Sequence, residues 1–500
     1  MLLGFLRKAG KKKSMEGLAD KKIVIVSNRE PYSLKKGRLQ KTVGGLVSAL
    51  DPLMQATKGV WIASGPKGDK MDGPHSIQVP PESPSYTLRL VPLSSNDMEG
   101  YYNGYSNRFL WPLCHIALDR VYLTRSYWRS YSRVNRLFAR AVAEEAPEGS
   151  IIWLQDYHLA LAAAEIRALR PGAFISLFWH IPWPPHAVFR ICPQKKEILE
   201  GLLANDLLGF QLPSFMQNFM TCAERELGCV IDPVEGGVRH KGRITRLRTF
   251  PISVDFGWFE AAAASPEAES FITKFLMKRD LGHLKLGLSV NRLDYTKGVI
   301  KCLEAVELFF TKYPRYRRKF TLIKVAVPTR KVEPFLSYME RVERKVESIN
   351  RRFGSEGWRP VEYIHSNLSH TELAALYRRA DLAVISSVYD GMNLVAKEFI
   401  ASQLDLTGNI LISEFAGASE EIPGVTVINP YDTEACADAM KAALEMDPEE
   451  RKNRLVQARA HVRKHDIYHW VEDIFSAMQR IQDEQIPSEI RGGDAVALKR

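Results

Sequence analysis

Short apolar runs rich in β-branched residues alternate with longer amphipathic stretches along this chain, and the alternation restarts once near its middle. The first series occupies residues 23–27, 60–63, 151–154, 174–178 and 207–210. Runs this short and apolar throughout belong to parallel strands whose two faces are both covered by helices. Between them, 46–54, 131–143 and 159–169 carry helical periodicity, the last stopped by Arg170-Pro171-Gly172. After a helical stretch at 267–278, a second series follows at 286–290, 321–325, 382–386, 410–413 and 425–428. Strands and helices alternating in this way predict an α/β fold of doubly wound sheets. The restart predicts two of them.

A chain of 500 residues exceeds the length at which a single core keeps growing, in keeping with two domains. The expected division is a basic, disordered tail at 1–20, a first domain at 21–255, a second at 256–465, a closing helix at 466–482 that could return to the first domain, and a tail at 483–500. In open parallel sheets, ligands bind beyond the carboxyl ends of the strands. Two such sheets facing one another would share one cleft, which suits a reaction that joins two substrates while excluding water.

The formal charge of +11 invites a nucleic-acid reading. The first 22 residues, however, carry seven Lys/Arg against Glu16 and Asp20 and so account for +5 of it. No nucleic-acid module signature accompanies the remainder, which equally suits the steering of small anionic substrates. No apolar run approaches the ~18 residues of a membrane span, and the apolar start is too short for a signal-peptide core. The chain is therefore expected to be cytoplasmic, with neither membrane nor nucleic acid among its partners. Its six cysteines are scattered, without a Cys-x-x-Cys pair, and read as reduced, buried thiols.

Three segments carry candidate chemistry. Arg29 follows the first strand, and Gly44-Gly45-Leu46 opens a helical stretch. Adjacent glycines let the backbone approach a phosphate at a helix N-terminus, although such pairs also serve ordinary turns. Arg292-Leu293-Asp294-Tyr295-Thr296-Lys297-Gly298 follows a buried strand of the second series. Arg292 and Lys297 could both meet a diphosphate and stabilise the charge that develops as a nucleotide leaves; alternatively they form ion pairs with Asp294. Asp390-Gly391-Met392-Asn393-Leu394-Val395-Ala396-Lys397-Glu398 follows another strand. Gly391 permits a tight turn, the following N–H groups suit a phosphate, and Glu398 suits a ribose diol. Asp390 would either point at sugar hydroxyls or cap the helix.

Together with Ser27-Asn28-Arg29, Tyr101-Tyr102-Asn103, Leu110-Trp111-Pro112, Trp153-Leu154-Gln155-Asp156-Tyr157-His158-Leu159 and His180-Ile181-Pro182-Trp183-Pro184, these segments resemble the trehalose-6-phosphate synthase family in order and spacing, over about residues 21 to 482. The resemblance implies a retaining glycosyltransferase of two facing Rossmann-like domains, the GT-B type, with an interdomain cleft and with no cofactor, metal or covalent nucleophile. It implies transfer of glucose from a nucleotide sugar, UDP-glucose first among the candidates, to glucose 6-phosphate, giving α,α-trehalose 6-phosphate. Arg292 and Lys297 would hold the donor diphosphate, Gly44 and Gly45 would lie beneath it, residues 391–398 would hold nucleotide and ribose, and Leu368 would touch the base. His180 and Asp390 would hold hydroxyls of the transferred sugar. Arg29, Tyr102, Trp111, Asp156 and Arg330 would form the acceptor side, with Arg29 and Arg330 clasping the phosphate.

The chain departs from the family pattern in places. Lys331 could replace Arg330 as phosphate ligand, and Tyr389 stands where an arginine often precedes Asp-Gly. Asn28-Arg29-Glu30-Pro31-Tyr32 is also similar to the glucosylglycerol-phosphate synthases, and a pseudo-glycosyltransferase coupling cyclitols would share the scaffold. A non-catalytic sugar-phosphate sensor is the reading from another class, but it should have lost some donor cations, and all are present. No Asp-x-Asp pair, Walker-type loop or Gly-x-Ser-x-Gly elbow occurs, so metal-dependent transferase, ATPase and hydrolase readings lack their residues. The oligomeric state stays open, a homo-oligomer included.

Overall fold

The computed structural model describes residues 22–35, 38–42, 45–67, 75–327 and 333–485. The chain divides into two compact units. One runs to Pro251 and takes up again at Tyr468; the other spans Ile252–Ile467.

In the first unit, a ten-stranded sheet runs in the order Val230–Asp232, Gly237–His240, Arg243–Thr249, Leu207–Phe210, Phe174–Phe178, Ile151–Gln155, Ile23–Ser27, Val60–Lys67, Tyr86–Leu93 and Ser76–Val79. The seven strands from Arg243–Thr249 to Tyr86–Leu93 are mutually parallel. Short antiparallel strands close both edges, a common way to protect an open edge from further pairing. Ile23–Ser27 and Ile151–Gln155 are buried at every residue, which is why they read as continuous apolar runs rather than alternating ones.

The edge strands of this sheet, Arg243–Thr249 and the long Tyr86–Leu93 strand are not among the apolar runs of the sequence. Tyr86–Leu93 is half-buried in alternation, and Ser76–Val79 is short and mostly exposed, so neither carries a fully apolar signature. The helix expected at 159–169 is shorter. Asp156 accepts from the Tyr157 N–H, a one-turn 3₁₀ segment Tyr157–Leu159 follows, and the helix proper is Ala162–Leu169.

The closing helix Ile467–Gln485 packs, from Tyr468 onward, within the first unit. Trp470 lies 5.6 Å from the Trp153 ring and 5.2 Å from Phe178, and its Nε1 donates to the Phe250 carbonyl at 3.0 Å.

The second unit carries a six-stranded sheet ordered Val361–Ile364, Phe320–Val327, Lys285–Arg292, Leu382–Ile385, Asn409–Ser413 and Thr426–Ile428. All of its pairs are parallel. Both units are Rossmann-like, and each has one place where the strand order reverses. In the first it lies between Ile23–Ser27 and Ile151–Gln155; in the second, between Lys285–Arg292 and Leu382–Ile385. Loops leaving neighbouring strands at such a reversal part to opposite faces and open a crevice at the carboxyl ends.

Candidate active site

The reversal in the second unit gathers the second-half candidates. Arg292 ends its strand half-buried. The loop beyond it turns on Asp294, whose Oδ1 accepts from the Thr296 N–H and hydroxyl, both at 3.0 Å. Lys297 pairs with Asp390, Nζ to Oδ2 2.7 Å, across the reversal. Gly298 has φ 61°, and a Cβ there would lie 1.7 Å from the Ser386 carbonyl oxygen. Only glycine lets these two loops cross so closely. The crossing is laced by the Ser386 hydroxyl donating to the Gly298 carbonyl at 2.9 Å and the Val388 N–H donating to the Thr296 carbonyl at 2.9 Å.

Asp390 is nearly buried and does not cap the helix. Its Oδ2 also accepts from the Ser387 hydroxyl and from Asn393 Nδ2, both at 3.1 Å. The cap is Asn393, with φ 86° and its Oδ1 accepting from the Ala396 N–H at 3.2 Å. Gly391 and Met392 are buried beneath the turn, while Leu394 and Val395 open the helix Leu394–Ser402 half-buried. A helix N-terminus beside Arg292 and Lys297 offers both N–H groups and cations to a phosphate.

Lys397, expected among the donor-binding residues, has its side chain inside the unit. It donates to the Ile252 carbonyl at 2.7 Å and pairs with Glu421. Its ammonium is an interior ion pair, not an exposed cation. Glu398 accepts from the Tyr377 hydroxyl at 2.8 Å. Burial pushes its carboxyl up to about 6, against the opposing pull of that hydrogen bond. Leu368 is half-buried just ahead of the Ser369 cap of the helix His370–Arg379, which carries Tyr377.

Lys324 was not foreseen. Wholly buried in the strand Phe320–Val327, it donates to Asn291 Oδ1 at 2.5 Å and to the Ser289 hydroxyl at 3.1 Å, beside Arg292. Burial pulls it down to about 8. A lysine inside an otherwise apolar strand was the available signal.

The reversal in the first unit gathers the first-half candidates. Arg29 is exposed two residues beyond its strand. Buried Asn28 precedes it, its carbonyl accepting from the Ser64 hydroxyl. Asp156 ends the neighbouring strand with φ 74° and ψ 171°, a region nearly confined to glycine that costs roughly 1–3 kcal/mol. Its N–H donates to the Phe178 carbonyl at 2.8 Å, and its Oδ1 accepts from the N–H groups of Tyr157 at 2.9 Å and His180 at 3.2 Å. These bonds hold the strained backbone in place.

His180 Nε2 lies 2.9 Å from Gln155 Oε1, and burial pushes the ring down to about 3, so it is neutral. Tyr102, in the π-helical segment Met98–Leu110, stacks on His158 at 5.7 Å, and His158 Nδ1 lies 4.0 Å from Asp156 Oδ2. Trp111 is 6.0 Å from Tyr157, which in turn is 4.0 Å from His158. Tyr102, Trp111 and Asp156 are thus joined through Tyr157 and His158, which the sequence reading quoted without assigning a role.

Gly45 opens the helix Gly45–Thr57, and Gly44 lies outside the described residues. That helix is anchored by buried Asp51, which accepts from Lys41 at 2.6 Å, Tyr86 at 2.7 Å, Gln55 at 2.9 Å and Tyr32 at 3.3 Å. Arg330 and its neighbour Lys331 also lie outside the described residues. Among those described, no helix is long and apolar enough to cross a membrane, and no group of three His, Cys, Asp or Glu could hold a metal ion. All six cysteines are buried and unbridged.

The model of glycosyltransferase family 20 matches residues 21–480. Trehalose-6-phosphate synthase of Mycobacterium sp. (strain JLS) is 37% identical over 476 residues, covering 92% of this chain and 97% of the relative. A crystal structure of an α,α-trehalose-phosphate synthase (UDP-forming) from Burkholderia xenovorans in complex with glucose-6-phosphate is similar at TM-score 0.84 and 30% identity, over 92% of this chain and 100% of that one. An E. coli structure bound with UDP-2-fluoro glucose is similar at TM-score 0.85 and 30% identity, over 92% and 99%.

Proposed function

We propose a reaction on the premise that this chain belongs to glycosyltransferase family 20 and is a glycosyltransferase: it transfers glucose from UDP-glucose to glucose 6-phosphate with retention, forming α,α-trehalose 6-phosphate. The observation that carries this reading is the Lys297–Asp390 pair at the strand reversal of the second unit, next to Arg292 and the Asn393-capped helix. It supplies cations and N–H groups for a leaving diphosphate and a carboxylate for sugar hydroxyls. The relative bound to glucose-6-phosphate and the one bound to UDP-2-fluoro glucose support the two substrates.

In this reading the second unit takes the donor. Arg292 and Lys297 bind the diphosphate and stabilise charge as the glycosidic bond to phosphate breaks. The opening of the helix Leu394–Ser402 faces phosphate, Glu398 accepts from the ribose diol, and Leu368 lies against the base. When the diphosphate binds, Lys297 turns from Asp390 toward it, and Asp390 turns to hydroxyls of the sugar.

The first unit takes the acceptor. Arg29 grips the 6-phosphate, with Arg330 as its expected partner; Asp156 and Tyr102 hold acceptor hydroxyls, and Trp111 lines the sugar. His180, neutral and beside Asp156, holds a hydroxyl of the transferred glucose.

The test is a matrix of UDP-, GDP- and ADP-glucose against glucose 6-phosphate, glycerol 3-phosphate and free glucose. The expected result is highest kcat/KM for UDP-glucose with glucose 6-phosphate, and a loss on the order of 1.5–3 kcal/mol in Arg29→Ala that disappears with unphosphorylated glucose. A preference for glycerol 3-phosphate would replace the acceptor assignment.

A further inference from the structure

Gln155 has no role in the reaction as described, yet it is the side chain that holds His180. It ends the strand Ile151–Gln155 and is 1% exposed. Its amide lies against His180 with Oε1 2.9 Å from Nε2, and its own amide nitrogen is buried without a hydrogen-bond partner. In this orientation the amide oxygen can only accept, which puts the proton on Nε2. The ring is neutral, so Nδ1 then bears the lone pair.

Nothing among the described residues bonds Nδ1, and His180 as a whole is half-buried. The rest of the surroundings cannot set the tautomer. Phe178 and Trp470 present rings, at 4.6 and 6.3 Å. The Asp156 carboxylate meets the backbone N–H at 3.2 Å, and Gln211 donates to the backbone carbonyl at 3.4 Å. Among the described residues, only Gln155 hydrogen-bonds a ring nitrogen of this histidine.

We infer that Gln155 is a positioning residue for sugar transfer: by accepting the Nε2–H of His180 it fixes one tautomer and one ring orientation, so that Nδ1 meets the transferred sugar as an acceptor of a hydroxyl proton. The inference rests on the proposed contact between His180 and that sugar. A neighbour that selects the tautomer of a working histidine acts through it without touching substrate. The assignment also restricts the substrate: the sugar must present a hydroxyl donor there, and a deoxy or O-methyl group at that position leaves the lone pair unmet.

The experiment is ¹⁵N-resolved NMR of the imidazole nitrogens in the full-length, ligand-free enzyme, with His180 assigned by its loss in His180→Ala. At pH 7 the expected signature is a protonated Nε2 and an unprotonated Nδ1. In Gln155→Glu, which keeps the shape, the carboxylate should draw a second proton onto the ring and raise its titration by a unit or more. Gln155→Leu should lower kcat about tenfold with little change in either KM, and should add nothing in the His180→Ala background.

A wild-type ring protonated at Nδ1, or a His180 titration unmoved in Gln155→Glu, overturns the inference without bearing on which substrates the enzyme uses. Full activity in His180→Ala alongside the expected NMR signature would instead show that this histidine does not touch the sugar. The transfer role of Gln155 would then fall with it.

Discussion

Lys297 and Asp390 are paired, so each compensates the other's charge. In the proposed reaction Lys297 offers its charge as the diphosphate leaves. Lys297→Ala should lower kcat by about 10²–10³ with donor saturating, the scale for losing one oxyanion-stabilising donor. A kcat within twofold of wild type would remove Lys297 from that role. Glu398 leads to a pH prediction. Its carboxyl titrates at about 6 when folded, against 4.5 otherwise, so the folded state holds the extra proton between those values. Its contribution to stability is therefore full below 4.5 and lost as pH rises through 6. The proposed contact with the ribose needs the carboxylate and so moves the opposite way: UDP affinity by calorimetry should strengthen from pH 5 to 7, and less so in Glu398→Gln. A wild-type affinity flat over that range would separate Glu398 from the ribose. Arg292, Lys297 and Asp390 could be picked out in the sequence because charged residues at or just beyond the ends of buried strands stand out, and Glu398 because it lies one turn into the helix that follows Asp390-Gly391. Tyr377 and Gln155 could not, because their partners, Glu398 and His180, are 21 and 25 residues away in the chain.

Both candidate sites turn on backbone conformations that residues other than glycine seldom adopt. Asp156 and Asn393 adopt positive φ at the ends of their loops, and Gly298 does so where two loops cross. Strain of this kind persists when surrounding bonds over-determine it, and it pre-organises the groups it carries. Gly298→Ala should cost at least about 2 kcal/mol, since a positive φ and a backbone collision coincide there. Denaturant unfolding should show the loss and UDP calorimetry a weaker donor site, because Lys297 is the preceding residue. An alanine variant with wild-type stability and affinity would contradict the tight crossing. The central strands were legible because burial on both faces leaves no alternation to misread. The π-helical segment Met98–Leu110 was not: Tyr101, Tyr105 and Phe109 face inward at a spacing of four, a pattern shared with an ordinary helix. The shortened helix after Asp156 was missed because a cap on Tyr157 leaves little trace in hydrophobic periodicity.

At the scale of the whole molecule, each unit places its candidate residues where its strand order reverses, and that placement follows from topology alone. The apolar runs announced two parallel sheets, and the positions of Arg29, Asp156, Arg292 and Asp390 just beyond those runs put candidate chemistry at strand ends. Strand order could not be read, because it depends on which buried run lies beside which, and apolar runs are interchangeable in sequence. The central claim, glucosyl transfer with retention onto a sugar phosphate, is tested most directly by following UDP-glucose and glucose 6-phosphate with the enzyme by ¹H and ³¹P NMR. The account expects UDP to appear in step with a non-reducing disaccharide that keeps its phosphate monoester and whose two anomeric protons both show α couplings. Release of UDP with free glucose, or a product with a β anomeric coupling, would contradict it.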